Sequence, residues 1–482
     1  MPPETDRLEA LLARLAPALD AGAVLRGDAV GPAYARDGEP FDGARPALVL
    51  RPRDTAQVAA ILAAATALGQ PVVVQGGRTG LTGGARPRPG EVALATERMA
   101  AIGRPDPLTQ TITAGAGAPL EAVQQAARAA GMMLGVDLGA RGSATIGGNI
   151  ATNAGGIRVL RYGMFREQVA GLEAVLADGT VVGGLDRPPK DNAGPDLRQL
   201  FIGAEGVLGV VTRARLRLHP APAHEAVALV ALASLGAALA VLARLRAALP
   251  GRVSAFEVID PALYAATLAH HAIAPPLPAG AGFYALVEIQ SDRDEAGPFE
   301  TALMAAIEDG LAQDAVIAGS GREVAQLWRI RDGVSEYLFS RPGMTGHDVG
   351  LPLARLEEGL AAIRAALAAA DPRAGLMVFG HAGDGNLHVM VQTADPGATG
   401  PAVLRAVAKA GGTISAEHGI GTDKAPWLHL VRSAGELAAI ARLKAAFDPA
   451  GVLNPGRILQ ADRTTEKTTD KMTDQTESAG NG

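Results

Sequence analysis

Two short segments of the chain concentrate imidazole and carboxylate: Gly380–His388, which reads GHAGDGNLH, and Ser415–Gly419, which reads SAEHG. The chain has nine histidines, and three of them, His381, His388 and His418, lie in these segments. Neutral imidazole and carboxylate suit a divalent ion of the zinc or manganese type. The chain has no cysteine. Disulfides, iron–sulfur clusters, thiolate metal sites and a cysteine nucleophile are therefore excluded, and any metal must rest on His, Asp or Glu. Gly383 and Gly385 stand between His381 and His388 and break any regular element there, so the pair is expected to span a turn leading into the strand NLHVMV. Glu417 and His418 are neighbours and point in different directions if extended, so one can ligate a metal while the other faces a substrate. From residue types alone the set is either such a site or a group of ordinary polar loop residues. Asp384 and Asn386 read as turn formers. Arg329 and Arg331, in LWRIRD, suit a carboxylate held bidentately, or equally a helix-surface ion pair with Asp332 or Glu336.

Three glycine-rich segments form a second constellation: Gln75–Gly84 (QGGRTGLTGG), Asp137–Gly156 (DLGARGSATIGGNIATNAGG) and Gly203–Gly209 (GAEGVLG). Successive glycines let backbone N–H groups converge on a phosphate without obstruction by Cβ. Ser143, Thr145, Asn149 and Asn153 add side-chain donors and acceptors. One such loop is ordinary in a β-rich fold; three in one chain point to a large phosphorylated cofactor. None opens a helix in the G-x-G-x-x-G dinucleotide pattern, and the Walker A ending is missing.

The elements that must position these groups can be traced along the chain. Residues 4–20 read as an amphipathic helix. Residues 47–75 read strand, helix, strand: ALVLRP stops at Pro52, Thr55 caps the helix VAAILAAATALG, and PVVVQ follows Gly69. From 92 to 220, short β-rich runs alternate with turns, with a hairpin at the ADG turn between Val175 and Val181. Ala226–Ala243 carries no charge over 18 residues, but it is interrupted by Gly236 and reads better as a buried strand plus a helix capped by Ser234 than as a membrane span. Strand–helix alternation over 225–318 suggests an α+β second domain, with Pro220 and Pro222 at its boundary. Further helices are expected at 355–370, 400–411 and 434–447, then a polar, disordered tail over 461–482.

The length of 482 residues allows about three folding units. With 48% hydrophobic residues the chain is no disordered protein, and a net charge of −6 lacks the basic footprint of a nucleic-acid binder. The N-terminus, MPPETDRLEALLARL, is not a secretory signal or a transit peptide, so a cytoplasmic location is expected.

The motifs PVVVQGGRTGLTGG, SATIGGNIATNAGGIRVLRYG, KDNAGPDLRQLFIGAEGVLGVVT, FGHAGDGNLH, SAEHGIG and FDPAGVLNPGRIL together resemble the FAD-linked D-2-hydroxy acid dehydrogenases of the vanillyl-alcohol-oxidase flavoprotein superfamily. That group includes D-lactate dehydrogenases, the glycolate oxidase flavin subunit and D-2-hydroxyglutarate dehydrogenase, and Asn149–Thr212 looks closest to the last. The resemblance covers about residues 40–460. It implies an α+β chain: an N-terminal helical segment (1–43), a two-subdomain FAD-binding domain of the PCMH type (44–220), an α+β substrate or cap domain carrying a metal site (221–433), and a C-terminal segment packing back on the FAD domain (434–460).

By the same resemblance, FAD is held non-covalently by Gly76, Gly77, Arg78, Thr79, Gly80, Leu81 and Gly84, then by Asp137, Ser143, Thr145, Gly147, Gly148, Asn149, Thr152, Asn153 and Gly155. Gly206 and Val210, expected near the flavin ring, and Asn454 complete the set. With no His in the first glycine-rich loop, a covalent histidyl–flavin link there is not expected. The metal ligands correspond to His381, His388 and Glu417, with zinc expected and manganese the alternative. The catalytic base corresponds to His418, and the substrate is expected to meet Arg331, Ser335 and His418.

Three positions depart from the family. Arg78 replaces a usual third glycine and can pair with a phosphate or crowd it. Gly346 stands where the hydroxyglutarate subgroup has Lys, and Met390 where it has Asn; this favours a shorter or less charged acid unless Arg341 substitutes. The implied activity is oxidation of a D-2-hydroxy acid to its 2-keto acid, with electrons passed to a quinone or an electron-transfer flavoprotein, no membrane span and a possible homodimer. Two alternatives are a glycolate-oxidase-type subunit active only in a complex and a metal-dependent hydrolase whose glycine loops are merely structural.

Overall fold

The structure is a computed structural model and describes residues 4–38 and 43–460. The tail expected at 461–482 lies outside the described residues. The described residues build three sheets of four, four and seven strands, plus a two-stranded ribbon.

The first sheet has the spatial order Val24–Arg26, Leu48–Leu50, Val92–Ala95, Val72–Gln75. Its last three strands are parallel. Parallel neighbours need a crossover, and the helix Thr55–Leu68 supplies one, burying Val58, Ile61, Leu62 and Ala65. Its cap differs from expectation by one residue. Asp54 is the N-cap, in extended conformation, and accepts from Gln57 N, while Thr55 is the first helical residue. Gly69, at φ +60°, ends the helix as expected.

The second sheet is antiparallel: Thr111–Gly115, Val210–Arg217, Val169–Val175, Val181–Gly184. The hairpin at Asp178-Gly179 pairs Val175 with Val181. Val175, Ala177 and Val210 share a core with Ile61 and Leu62, so the two small sheets form one body.

The seven-stranded sheet is antiparallel throughout, in the order Asp314–Ile317, His224–Leu232, Phe283–Ser291, Val253–Ile259, Gly375–His381, Asn386–Gln392, Met344–Gly350. Both faces are covered. Ala228, Val230 and Leu232 join a core with Leu242, Phe299, Ile363 and Val403, while Val227, Leu229 and Ala231 join one with Tyr264, Ile330 and Val334. That double burial explains why these strands read as continuous apolar runs rather than as alternating ones. The uncharged stretch 226–243 is accordingly a strand and the start of the helix Leu235–Ala248, whose N-cap Ser234 accepts from Ala237 N. No described helix is long and apolar enough to cross a membrane.

The chain end returns to the first sheet. Val72 N donates to Val452 O at 2.8 Å, and Asn454 N to Val72 O at 2.9 Å. Arg457, only 2% exposed, is bound by Glu91 and by the carbonyls of Arg86 and Gly84.

Candidate active site

Six elements converge at the seam between the glycine-rich loops and the seven-stranded sheet. His381 ends the strand Gly375–His381, and His388 lies on the next strand, Asn386–Gln392. The turn between them is held by Asp384 Oδ1, which accepts from Asn386 N at 3.1 Å. The rings of His381 and His388 meet edge to face, 5.2 Å apart, and those of His388 and His418 lie 6.2 Å apart and nearly parallel. Donor atoms of His381, His388 and Glu417 all fall within 4.8 Å of one another. Their convergence depends on Asp348, from the strand paired with that of His388. Asp348 Oδ2 accepts from three successive backbone N–H groups, Ala416, Glu417 and His418, at 3.1, 2.7 and 3.2 Å.

Behind His381 stands Glu257, 1% exposed, on the neighbouring strand. Its Oε1 lies 2.6 Å from His381 Nδ1, and its Oε2 accepts from Arg331 Nε at 2.8 Å. Arg331, on the helix Gly321–Phe339, is buried, and its guanidinium lies 5.3 Å over the Phe379 ring. Its terminal nitrogens make no hydrogen bond to any described residue. Ser335 is one turn further and half-buried, whereas Arg329 is exposed and outside the site. Arg341 is exposed and stacks on Tyr337 at 5.9 Å. The two departures Gly346 and Met390 are cross-strand partners, and the Met390 thioether occupies the space beside Gly346.

Each buried charge is set by its neighbours against the effect of burial. Burial opposes the ionised form of Glu257, but His381 and Arg331 overcome it and hold its carboxyl at about 2. Burial likewise opposes charge on His381, yet Glu257 and Glu417 raise it well above the imidazole range. Asp348, despite burial, is pulled well below the carboxylate range by His418 and His388. Burial pushes His418 below its ordinary value, with Asp348 and Glu417 opposing, so its ring is neutral near pH 7. Two imidazoles and a carboxylate turned towards them form a donor set that fits a divalent cation, with Asp348 Oδ1 behind it, 3.4 Å from His388 Nδ1.

The glycine-rich half fits an extended, oxygen-rich cofactor. A Cβ at Gly77 would lie 2.0 Å from Ser143 O, and one at Gly76 2.5 Å from Thr145 Oγ1. The first two loops therefore abut backbone to backbone, which only glycine permits. Gln75 Oε1, Thr145 Oγ1 and Asn149 Nδ2 are buried there without partners, an arrangement that costs stability unless a ligand or water completes it. Gly148 packs beside Thr145, and Gly147 against Ala116.

Other residues expected at the cofactor also make contacts within the protein. Arg78, at φ +57°, lies 4.8 Å over the Tyr34 ring and 3.5 Å from Glu97. Thr79, Gly80 and Leu81 back onto Gly38, and Gly84 O receives Arg457 Nε. Asp137 is paired with Arg158 and Arg141. Thr152 Oγ1 bonds within its own helix to Gly148 O. Asn153 is the left-handed C-cap of that helix and accepts from Arg166 N. Val210 is a core residue beside Val175 and Ile61, so its side chain is not available to a flavin. Asn454 ties Val74 N to Glu205 O, and Gly206 leaves room for its amide.

The two halves touch directly. Gly156 N donates to Glu417 Oε1 at 2.7 Å, and Gly155 lies against the same oxygen. Glu205, in the third glycine-rich segment, accepts from Ile420 N and Gly421 N, both at 2.7 Å. Thr82 Oγ1 reaches His418 O at 3.2 Å. Sequence reasoning missed the roles of Glu257, Asp348 and Glu205. A usable signal existed for Glu257: a lone carboxylate inside the apolar strand VSAFEVI must be paired once buried.

Two small sheets sharing glycine-rich loops, joined to a large antiparallel sheet, define a PCMH-type flavoprotein architecture. p-Cresol methylhydroxylase with substrate bound superposes with a TM-score of 0.75 at 16% identity, covering 95% of this chain and 98% of that one. Alkyldihydroxyacetonephosphate synthase superposes with a TM-score of 0.70 at 15% identity, covering 92% and 84%; these likenesses concern the fold alone. Residues 46–183 match an FAD binding domain and residues 221–458 the C-terminal domain of FAD linked oxidases. D-2-hydroxyglutarate dehydrogenase of Xanthomonas citri pv. viticola is 40% identical over 443 residues, 89% of this chain and 92% of that protein. The mitochondrial D-2-hydroxyglutarate dehydrogenase of Bos taurus is 38% identical over 423 residues, 86% and 76%. D-2-hydroxyglutarate dehydrogenase of Stutzerimonas stutzeri is 33% identical over 440 residues, 89% of this chain and 94% of that protein. The chain belongs to the family of FAD-linked D-2-hydroxy acid dehydrogenases. An FAD-dependent oxidoreductase replaces the hydrolase alternative, because the first two glycine-rich loops fall within a matched cofactor domain.

Proposed function

We propose that the chain oxidises a D-2-hydroxy acid to the corresponding 2-keto acid, with non-covalent FAD on the glycine-rich side and a divalent metal, zinc first, at His381, His388 and Glu417. The single observation that carries this is the bond from Gly156 N to Glu417 Oε1, which brings the cofactor loops and the cation ligands to one point. When bound, FAD supplies the acceptor for the C2 hydride, and the divalent ion polarises the 2-hydroxyl.

The rest falls to side chains of the chain itself. His418 turns Nδ1 towards Asp348 Oδ2, 3.9 Å away, and leaves Nε2 to take the hydroxyl proton. Its lowered basicity keeps that nitrogen unprotonated near neutral pH. Arg331, tethered through Nε, offers its terminal nitrogens to the substrate carboxylate, with Ser335 beside it. His418 thus takes the hydroxyl proton of the alcohol, whose C2 hydride FAD would accept when bound at the glycine-rich side. The relatives' names favour D-2-hydroxyglutarate, while the apolar Gly346–Met390 pair favours a shorter acid. Electrons leave to a quinone or an electron-transfer flavoprotein, and the protein works in the cytoplasm.

Purified single chain assayed with an artificial dye acceptor on D-lactate, D-2-hydroxyglutarate, D-malate and glycolate tests this reading. Turnover of a D-2-hydroxy acid, lost in His418→Ala and His388→Ala, is expected. Near-full activity in both variants overturns the site.

A further inference from the structure

Glu257 is a charged group in a place that disfavours charge: 1% exposed, in the strand Val253–Ile259, flanked by strands on both sides. Such a group persists only when it is paired. Its two oxygens go to two different functional groups, His381 Nδ1 at 2.6 Å and Arg331 Nε at 2.8 Å. These partners lie 124 and 74 residues away in sequence. The first contact is built into the sheet, since Glu257 and His381 are direct cross-strand neighbours.

We infer that Glu257 is a positioning residue that aims both the cation ligand His381 and the substrate arginine Arg331. The inference rests on the proposed metal and substrate roles of those two residues. Holding Nδ1 fixes the imidazole so that Nε2 is the edge turned to Glu417, 3.5 Å away. Holding Arg331 by Nε, above the Phe379 ring, leaves the two terminal nitrogens as the face offered to a carboxylate. One carboxylate thereby fixes the distance between the point where the ion sits and the point where the acid is gripped. An amide at this position offers one oxygen and an NH2 that only donates, so it cannot give each partner an oxygen of its own, as Glu257 does.

The test uses the holoenzyme, stripped of divalent ions with a chelator and titrated with zinc alone, together with steady-state kinetics. Glu257→Gln is expected to lose about 10- to 100-fold in zinc affinity and to raise KM by about 10-fold while still retaining flavin. Glu288→Gln, which removes another fully buried carboxylate from the same sheet, is expected to keep the wild-type zinc affinity. If Glu257→Gln fails to fold, Glu257→Asp carries the same measurements, because the shorter side chain keeps the charge but cannot span both partners. Folded Glu257 variants with wild-type zinc affinity and KM overturn the inference. His388→Ala separates the two levels. Loss of zinc in His388→Ala with retention in Glu257→Gln sinks only the positioning role. Unchanged zinc binding in His388→Ala sinks the metal reading, and the inference with it.

Discussion

At the residue scale, the cation side of the site is built from side chains whose neighbours oppose the effect of burial. His347, beside Asp348, shows what happens without such neighbours. It is buried, its Nε2 makes no hydrogen bond, and burial, helped by the charge of Lys424, pushes it down to about 4. A histidine whose folded value is depressed stabilises the fold fully above its unfolded value of about 6.5, and that stability is lost as pH falls towards about 4, because the unfolded chain then binds the extra proton. The loss amounts to about 3 kcal/mol. Thermal unfolding of His347→Leu should therefore depend less on pH across that window than wild type; parallel curves would refute the assignment. Of the site residues, those within one motif were legible: His381 and His388 flank a glycine turn, and Glu417 adjoins His418. Asp348 and Glu257 were not, because each acts on residues about 70 or more positions away, and no local pattern records such a pairing.

At the scale of elements, glycine placement makes a firm prediction. Gly77→Ala brings a methyl group to within 2.0 Å of Ser143 O, so the first two loops must separate. The purified variant should lose its flavin absorbance while keeping its far-UV circular dichroism, and normal flavin content would show that the loops do not form the cradle. A second prediction concerns the turn Val159–Tyr162, docked on the large sheet. Arg158 there binds both oxygens of Glu288 at 2.9 Å and Asp137 Oδ2 at 3.0 Å. Arg158→Ala takes the guanidinium away from the fully buried Glu288, and denaturant titration should show a loss of about 3–5 kcal/mol. Element types were readable from apolar runs and capping residues. The helix start slipped by one because Asp54 and Thr55 are both good caps and only backbone conformation chooses between them. The strand order of the large sheet was not readable, since Val253–Ile259 pairs with Gly375–His381 across more than a hundred residues.

At the scale of the whole molecule, the proposed cofactor and cation sides share an atom. Glu417 Oε1 accepts from Gly156 N and faces His381 Nε2 at 3.5 Å. Coupling between sites is reciprocal. Chelation of the ion should therefore weaken flavin retention by about 5-fold or more, read as flavin released on dilution, and flavin removal should weaken zinc binding by the same factor. Independent affinities would mean that the seam transmits nothing.

The segment Val452–Arg457 lies beside Val72 and encloses Glu91, although some 380 residues separate it from that strand. During synthesis the glycine-lined lobe therefore waits, its first sheet lacking the final border, until residues 452–457 have left the ribosome. Closure of that lobe thus depends on a segment made long after it, and any premature stop before Asn454 removes the clasp.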